Sequence, residues 1–128
     1  MLDRLIKKIR NGGGPNLKDF KRKHKGQRCF VMGNGPSLNL MDLTPLAGET
    51  IFASNGIYHL FPRIAWRPTY YACVDAVVLR DQAKNIMQMR RDNPGIQCFF
   101  PRSIPDAYRE KEHISVDTLL PPAPSTCY

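Results

Sequence analysis

Short apolar segments ending in glycine or a polar residue recur along this chain at intervals of about twenty residues, with helical patterns between them. Strands that alternate with helices predict βαβ units and a mostly parallel sheet. Nearly continuous apolar strands suit a sheet covered on both faces. The predicted fold is therefore α/β, a Rossmann-like three-layer arrangement that is expected to be incomplete, with about four strands: RCFVMG, TIFASN, RPTYYACVD and IQCFF.

The organisation of the chain follows from its length and composition. With 128 residues, 42% of them hydrophobic, it suits one domain with a modest core. We divide it into a basic amphipathic arm and linker (1–26), a partial Rossmann-like nucleotide-binding domain (27–112) and an extended tail rich in proline (113–128). No apolar run approaches the ~20 residues of a membrane span, and the N-terminus lacks the apolar core of a secretory signal.

The net charge of +8 lies wholly in residues 1–28, which hold ten basic and two acidic residues. The first ten residues also place apolar side chains on one helical face: Leu2, Leu5, Ile6 and Ile9. The arm is expected either to pack on the domain as a cap or to bind an anionic membrane surface or acidic partner. Nucleic acid is not expected as a partner, because no aromatic residues interleave the charges.

The cysteines show neither metal-ligand nor redox spacing. Three of the four lie in predicted strands, which predicts buried free thiols in a reducing cytosol; the four are Cys29, Cys73, Cys98 and Cys127. The expected location is cytoplasmic, with peripheral attachment to the inner membrane through the arm as a further expectation.

The turn after the first strand carries the main functional hypothesis. Gly33 and Gly35 allow a positive φ and a close approach of the backbone to a ligand, and Asn34 offers an amide. Pro36 suits the first position of a helix, and Ser37 supplies a hydroxyl where free amides and the helix dipole favour an anion. One interpretation is a cradle for a nucleotide phosphate. The other is an ordinary strand-to-helix turn with Ser37 as its N-cap, and neither GxGxxG nor GK[ST] is present.

The ends of the next two predicted strands are also polar. Asn55 follows the second strand and Asp75 the third, so in a parallel sheet both lie beside the turn. Asn55 is interpreted either as a donor to a phosphate or sugar or as a helix cap. Asp75 is interpreted either as a ligand of a ribose hydroxyl, a metal or an acceptor, or as the N-cap of a helix over 76–91.

These segments carry a family resemblance. CFVMGNGPSLNLMDL, ETIFASNGIYHLF and RPTYYACVD resemble the start of a bacterial family of Rossmann-like proteins. That family is related to the motility-accessory flagellin glycosyltransferases and to the archaeal 6-hydroxymethylpterin diphosphokinases. The GNGPSL turn and the asparagine of SNGIY are also similar to those of the small bacterial sialyltransferases, which use CMP-sialic acid. The resemblance covers about residues 20 to 105.

The resemblance implies a mostly parallel sheet and a nucleotide phosphate near Gly33, Asn34, Gly35 and Ser37. In the sialyltransferase branch, asparagines matching Asn34 and Asn55 contact the donor, a later histidine is the general base and tyrosines hold the leaving phosphate. No later half matches here, and none of the histidines aligns with that base: His24, His59 and His113. The catalytic residues therefore stay unknown. The chain is expected to be a donor-binding half, as a truncated product, a fragment, or a domain completed by a partner chain or a second copy.

The expected function is the donor-binding part of a glycosyltransferase-like protein. It would move a sugar from a CMP-type nucleotide donor to a glycan or lipid-linked acceptor, without metal or separate cofactor. The first alternative is a 6-hydroxymethylpterin diphosphokinase-like enzyme using Mg²⁺ and ATP, with Asp42 and Asp75 as candidate magnesium ligands. The second is a non-catalytic nucleotide-binding remnant.

Overall fold

The computed structural model describes residues 17–101 and the backbone of 114–116. Within these ranges one sheet contains five strands: β1 Phe30–Met32, β2 Ile51–Ser54, β3 Tyr70–Ala72, β4 Gln97–Pro101 and β5 Ile114–Val116. The α-helices of this part are α1 Ala76–Asp81 and α2 Ala83–Asp92. Its 3₁₀ helices are Leu17–Phe20, Pro36–Leu40, Thr44–Leu46 and Asn55–Arg63.

The strands stand in the sheet in the order in which the chain forms them, and every neighbouring pair is parallel. Phe52 lies opposite Tyr70 in the pairing of β2 with β3, and Phe99 lies opposite Ile114 in the pairing of β4 with β5. The predicted α/β class with a parallel sheet is confirmed. β5 falls in the range predicted as an extended tail, because its three residues are too few to show a strand pattern.

The connections between β1 and β4 pack on one face of the sheet. Crossovers between parallel strands are nearly always right-handed. When such strands stand in the sheet in chain order, right-handed crossovers all lie on the same side of the sheet. Full burial of each large apolar side chain there contributes ~1.5–3 kcal/mol. The most deeply buried side chains of this core are Ile51, Tyr71, Leu79, Ile86 and Phe100.

The second face of the sheet has a thinner cover. Tyr70 and Phe99 are buried there beside Phe20 and Phe52. The Phe20 ring meets the rings of Tyr70 and Phe99 edge-on, with centroids 5.9 and 5.4 Å away. Residues 17–26, assigned to the arm from sequence, therefore lie against the sheet and form the third layer of the described structure.

Two helical segments differ from their predicted form. The single helix expected over 76–91 is divided at Gln82, whose φ of −106° and ψ of 13° depart from helical values. The short helix expected to end near Pro45 is two 3₁₀ helices. Between them, Asp42 Oδ1 accepts a hydrogen bond from Thr44 N at 3.0 Å, a local turn that competes with helical bonding.

The prediction of buried thiols is confirmed for two of the three cysteines in predicted strands. Cys73 and Cys98 are buried, as expected, but Cys29 is exposed because it precedes β1 at the edge of the sheet. Burial raises the pKa of the Cys98 thiol to about 11 and also raises the pKa of Cys73. Cys127 lies outside the described residues.

The free energy of unfolding should fall as pH rises from about 9 toward about 11. The unfolded Cys98 thiol loses its proton near pH ~8.5, whereas the folded thiol keeps it up to about pH 11. The unfolded state therefore binds fewer protons in this window, and stability decreases. Urea unfolding across the window measures the loss. Cys98→Ala should show a smaller loss than the parent chain, and an equal loss would contradict the assignment.

Leu79→Ala should lower the free energy of unfolding by ~2–5 kcal/mol, because it leaves a cavity in the core. Leu40→Ala is the matched control: Leu79 is 0% exposed and Leu40 is 91% exposed. The control should change stability by less than ~0.5 kcal/mol. Urea denaturation followed by circular dichroism compares the two, and similar losses would show that Leu79 is not a core residue.

Candidate functional site

The carboxyl ends of β1, β2 and β3 lie side by side at one edge of the sheet. These strands are adjacent and parallel, so the chain leaves each of them at that edge. The turn Gly33–Ser37 follows β1, Asn55 follows β2 and Asp75 comes shortly after β3. The structure thus brings the predicted site residues to one edge, as the sequence indicated. We call this edge, with the turn, Asn55 and Asp75, the strand-end site.

A side-chain contact joins the first two strand ends. Asn34 Nδ2 donates a hydrogen bond to Ser54 Oγ at 3.3 Å, which ties the turn after β1 to the last residue of β2. Sequence reasoning did not assign Ser54 a role. Its position directly before Asn55 was the available signal, but the pairing of β1 with β2 was needed to show the partner.

The backbone torsions of the turn do not require glycine at Gly33 or Gly35. Neither Gly33 nor Gly35 has a positive φ, so that expectation is wrong for both. Gly35 has φ −64° and ψ 150°, an extended conformation open to any residue. A Cβ built on Gly33 meets no described atom within 4 Å, and one on Gly35 meets only Ser37 Oγ at 3.5 Å, an ordinary contact. Neither packing nor torsion explains the two glycines. Since they carry no side chain and are exposed, a ligand can approach their backbone closely.

The helix after the turn is weaker than the sequence suggested. Pro36 occupies its first turn as predicted, but Ser37 is not its N-cap: Gly35 holds that position, and no side chain caps the helix. Pro36–Leu40 is a five-residue 3₁₀ helix, and its dipole is correspondingly small. An anion at the turn would therefore have to be bound by local amides and by the side chains of Asn34 and Ser37, with little help from the helix dipole. Arg63 holds the far end of this helix, donating to Asn39 Oδ1 at 2.6 Å and to Asn39 O at 3.0 Å.

Asn55 has a left-handed backbone, with φ 49°. Asparagine tolerates this conformation better than most residues, although it still carries strain. The Tyr71 hydroxyl donates to Asn55 O at 2.8 Å and so supports the strained peptide from the core. Burial, with a smaller effect of Cys73, raises the pKa of Tyr71 well above its usual value, so this hydroxyl stays protonated. The contact links residues 16 positions apart, and no sequence pattern showed it.

Asp75 is the N-cap of α1. Its Oδ1 accepts hydrogen bonds from Val77 N at 2.8 Å and from Val78 N at 3.1 Å. The capping interpretation is therefore confirmed. A ligand role for Asp75 would have to use its second carboxylate oxygen, beside the bonds that hold the helix.

The described histidines lie apart from the strand ends or at the surface. His24 hydrogen-bonds Tyr70 on the second face of the sheet. His59 is exposed, and its ring lies 3.3 Å from the position a Cβ would take on Gly56. Among residues 17–101 and 114–116, no three His, Cys, Asp or Glu side chains gather as metal ligands would. Every helix in those ranges also falls short of what a bilayer crossing requires.

In comparisons with known proteins, no family model matches this chain, and neither a curated protein nor a solved structure is found to match it. The family resemblance of the strand and turn motifs therefore stays a prediction.

Asp75→Ala should lower the free energy of unfolding by ~0.5–2 kcal/mol, because two amides of α1 lose their acceptor. Asp75→Ser, which keeps an oxygen that can cap, should stay within a few tenths of a kcal/mol of the parent. Urea denaturation measures both variants. Equal losses in the two would mean that the carboxylate does more than cap the helix.

Proposed function

We propose that this protein binds a nucleotide at the strand-end site, as the donor-binding part of a glycosyltransferase-like protein. The observation that carries the proposal is the exposed turn Gly33–Ser37, placed beside Asn55 and Asp75. Both of its glycines have room for a side chain within the described structure, so packing does not explain them. A phosphate is the expected occupant of such a turn, because backbone amides and small side chains contact an anion closely.

The layout of the strand ends suggests how a nucleotide would lie. The phosphate would contact the turn after β1, where Asn34 presents an amide and Ser37 a hydroxyl. The sugar of the nucleoside would then extend toward Asn55 and Asp75, across the ends of β2 and β3. Asn34 already donates to Ser54 Oγ at 3.3 Å, so it is held at the boundary between the two parts of this site.

The proposed reaction is transfer of a sugar from a CMP-type donor to a glycan or lipid-linked acceptor. The strand-end site would stabilise the negative charge that develops on the departing nucleotide phosphate, which lowers the barrier if the contacts tighten in the transition state. Deprotonation of the acceptor hydroxyl needs a general base. We assign no described residue to that task.

Nucleotide titration tests the proposal. CMP, CDP, UDP and ATP are added to the full chain with and without Mg²⁺, and thermal unfolding is followed. Ligand at about 100 times its dissociation constant should stabilise the fold by ~2.7 kcal/mol. Stabilisation by CMP without metal supports the proposal. Stabilisation only by ATP with Mg²⁺ would replace it with the diphosphokinase-like alternative, and no response to any nucleotide would end it.

Substitutions in the turn locate the binding. Gly33→Ala should leave stability unchanged but weaken nucleotide affinity about tenfold, since a methyl group intrudes where the ligand approaches. Gly95→Ala is the matched control, because a Cβ on Gly95 likewise meets no described atom within 4 Å. Asn34→Ala should weaken affinity, and Asn85→Ala on α2 should not. Equal affinities across all four variants would place the nucleotide elsewhere.

A further inference from the structure

An apolar groove of about 540 Å³ runs along the second face of the sheet, opposite the main core. Its volume is in the range of ligand pockets, which is roughly 300–1,000 Å³. It extends along β3 and on to Val74, which lies beyond the end of that strand. The groove is therefore close to the strand-end site, although it lies on the second face of the sheet. Its main apolar lining is Leu17, Phe20, Phe52, Tyr70, Val74 and Phe99.

Part of the apolar lining is open to solvent. Leu17 is 50% exposed and Val74 is 43% exposed. Val31 lies opposite Phe52 in the pairing of β1 with β2, and at 82% exposure it continues the apolar face to the edge strand. Parallel sheets are normally covered on both faces, so this surface fits an apolar occupant.

A basic turn forms the wall of the groove. Arg22, Lys23 and Lys25 line it beside the apolar side chains. In the described part of the chain, ion pairs join Arg28 to Glu49 and Arg80 to Asp81, so Arg22 and Lys25 have no acidic partner there. Lys23 Nζ lies 5.1 Å from the centre of the Phe20 ring, which holds its charge at the groove.

Local backbone hydrogen bonds define the shape of the basic turn, and a side-chain hydrogen bond joins it to the sheet. Lys23 N donates to Phe20 O at 3.1 Å and Lys25 N to Arg22 O at 3.1 Å, while His24 hydrogen-bonds Tyr70. Arg22 has a left-handed backbone with φ 62°, a conformation that glycine adopts at lower cost.

Charge separates the candidate occupants. Residues 1–10 would have an apolar face if they formed a helix, but they carry four basic residues against one acid and would add positive charge beside Arg22, Lys23 and Lys25. A second copy related by a twofold axis would place its own basic turn opposite the basic turn of the first copy. Like charges repel in both arrangements, whereas an anionic amphiphile satisfies the apolar lining and the cations together.

We propose that this groove binds the acyl chain of an anionic membrane lipid, with its phosphate beside Arg22 and Lys25. The protein would then lie on an anionic bilayer with the second face of its sheet toward the lipid. Each basic residue near such a surface should strengthen binding about fivefold. The acyl chain is already out of water in the bilayer, so the apolar contribution comes from the groove lining that the chain covers and removes from water. The inference does not depend on the nucleotide site.

Vesicle sedimentation of the full chain tests the proposal. Binding should be strong to phosphatidylcholine vesicles that contain phosphatidylglycerol and weak to phosphatidylcholine alone. Val74→Asp in the groove should weaken binding about tenfold or more by placing a charge against the acyl chain. The matched control is Val77→Asp, since Val77 is exposed at 55% but lies outside the groove. Equal binding by both variants would overturn the proposal.

The contribution of the basic residues and the contact with acyl chains are measured in separate experiments. Arg22→Gln and Lys25→Gln should each weaken binding about fivefold, whereas Lys84→Gln on α2 should not. In Leu17→Trp, brominated acyl chains should quench the new tryptophan, while Trp66, which packs with the core on the other face, reports the background. Absence of this additional quenching would show that the groove does not contact acyl chains.

Other occupants give distinct results, and each would overturn the proposal. If deletion of residues 1–10 abolishes vesicle binding while Val74→Asp binds normally, the arm is the lipid contact. If Val74→Asp instead dissociates a dimer and no vesicle binding occurs, a second copy covers the groove. If an oligonucleotide competes with vesicles and only the charge variants matter, the basic turn binds nucleic acid.

Discussion

The parallel pairing of β1 to β4 in chain order determines how the rest of the molecule is arranged. This pairing sends every connection between these strands over the same face of the sheet. It also brings the carboxyl ends of neighbouring strands to one edge, where the turn after β1 meets Asn55 and Asp75. An additional strand between β1 and β2, or between β2 and β3, would move these residues apart by one more strand spacing, ~4.8 Å.

The strand-end site combines residues that the fold uses in different ways. Asp75 has a structural task as the N-cap of α1, and Asn55 has a strained backbone supported by the Tyr71 hydroxyl. Gly33 and Gly35 have no comparable task within the described structure. This contrast makes the turn the first place to look for a ligand. Its glycines expose the backbone, and packing within the described structure does not require them.

The two faces of the sheet differ in chemistry as well as in cover. One face is closed by helices over a core of aliphatic and aromatic side chains. The other is covered by a short basic segment that leaves an apolar groove with cations along one wall. The nucleotide proposal concerns the edge of the sheet and the lipid proposal concerns its second face, so the two are physically independent. A protein with both would bring a soluble donor to a membrane surface.

The sequence by itself determined the α/β class, the four main strands and the placement of Gly33–Ser37, Asn55 and Asp75 at strand ends, because apolar periodicity and turn residues are local signals. It did not show β5, the break at Gln82, the exposure of Cys29 or the extended torsions of Gly35. Only the tertiary structure decided that Asn34 meets Ser54, that Tyr71 supports Asn55 and that the basic turn lines an apolar groove. Those contacts join residues distant in sequence, and their partners are fixed by strand register and packing, which a single sequence does not encode in any local pattern.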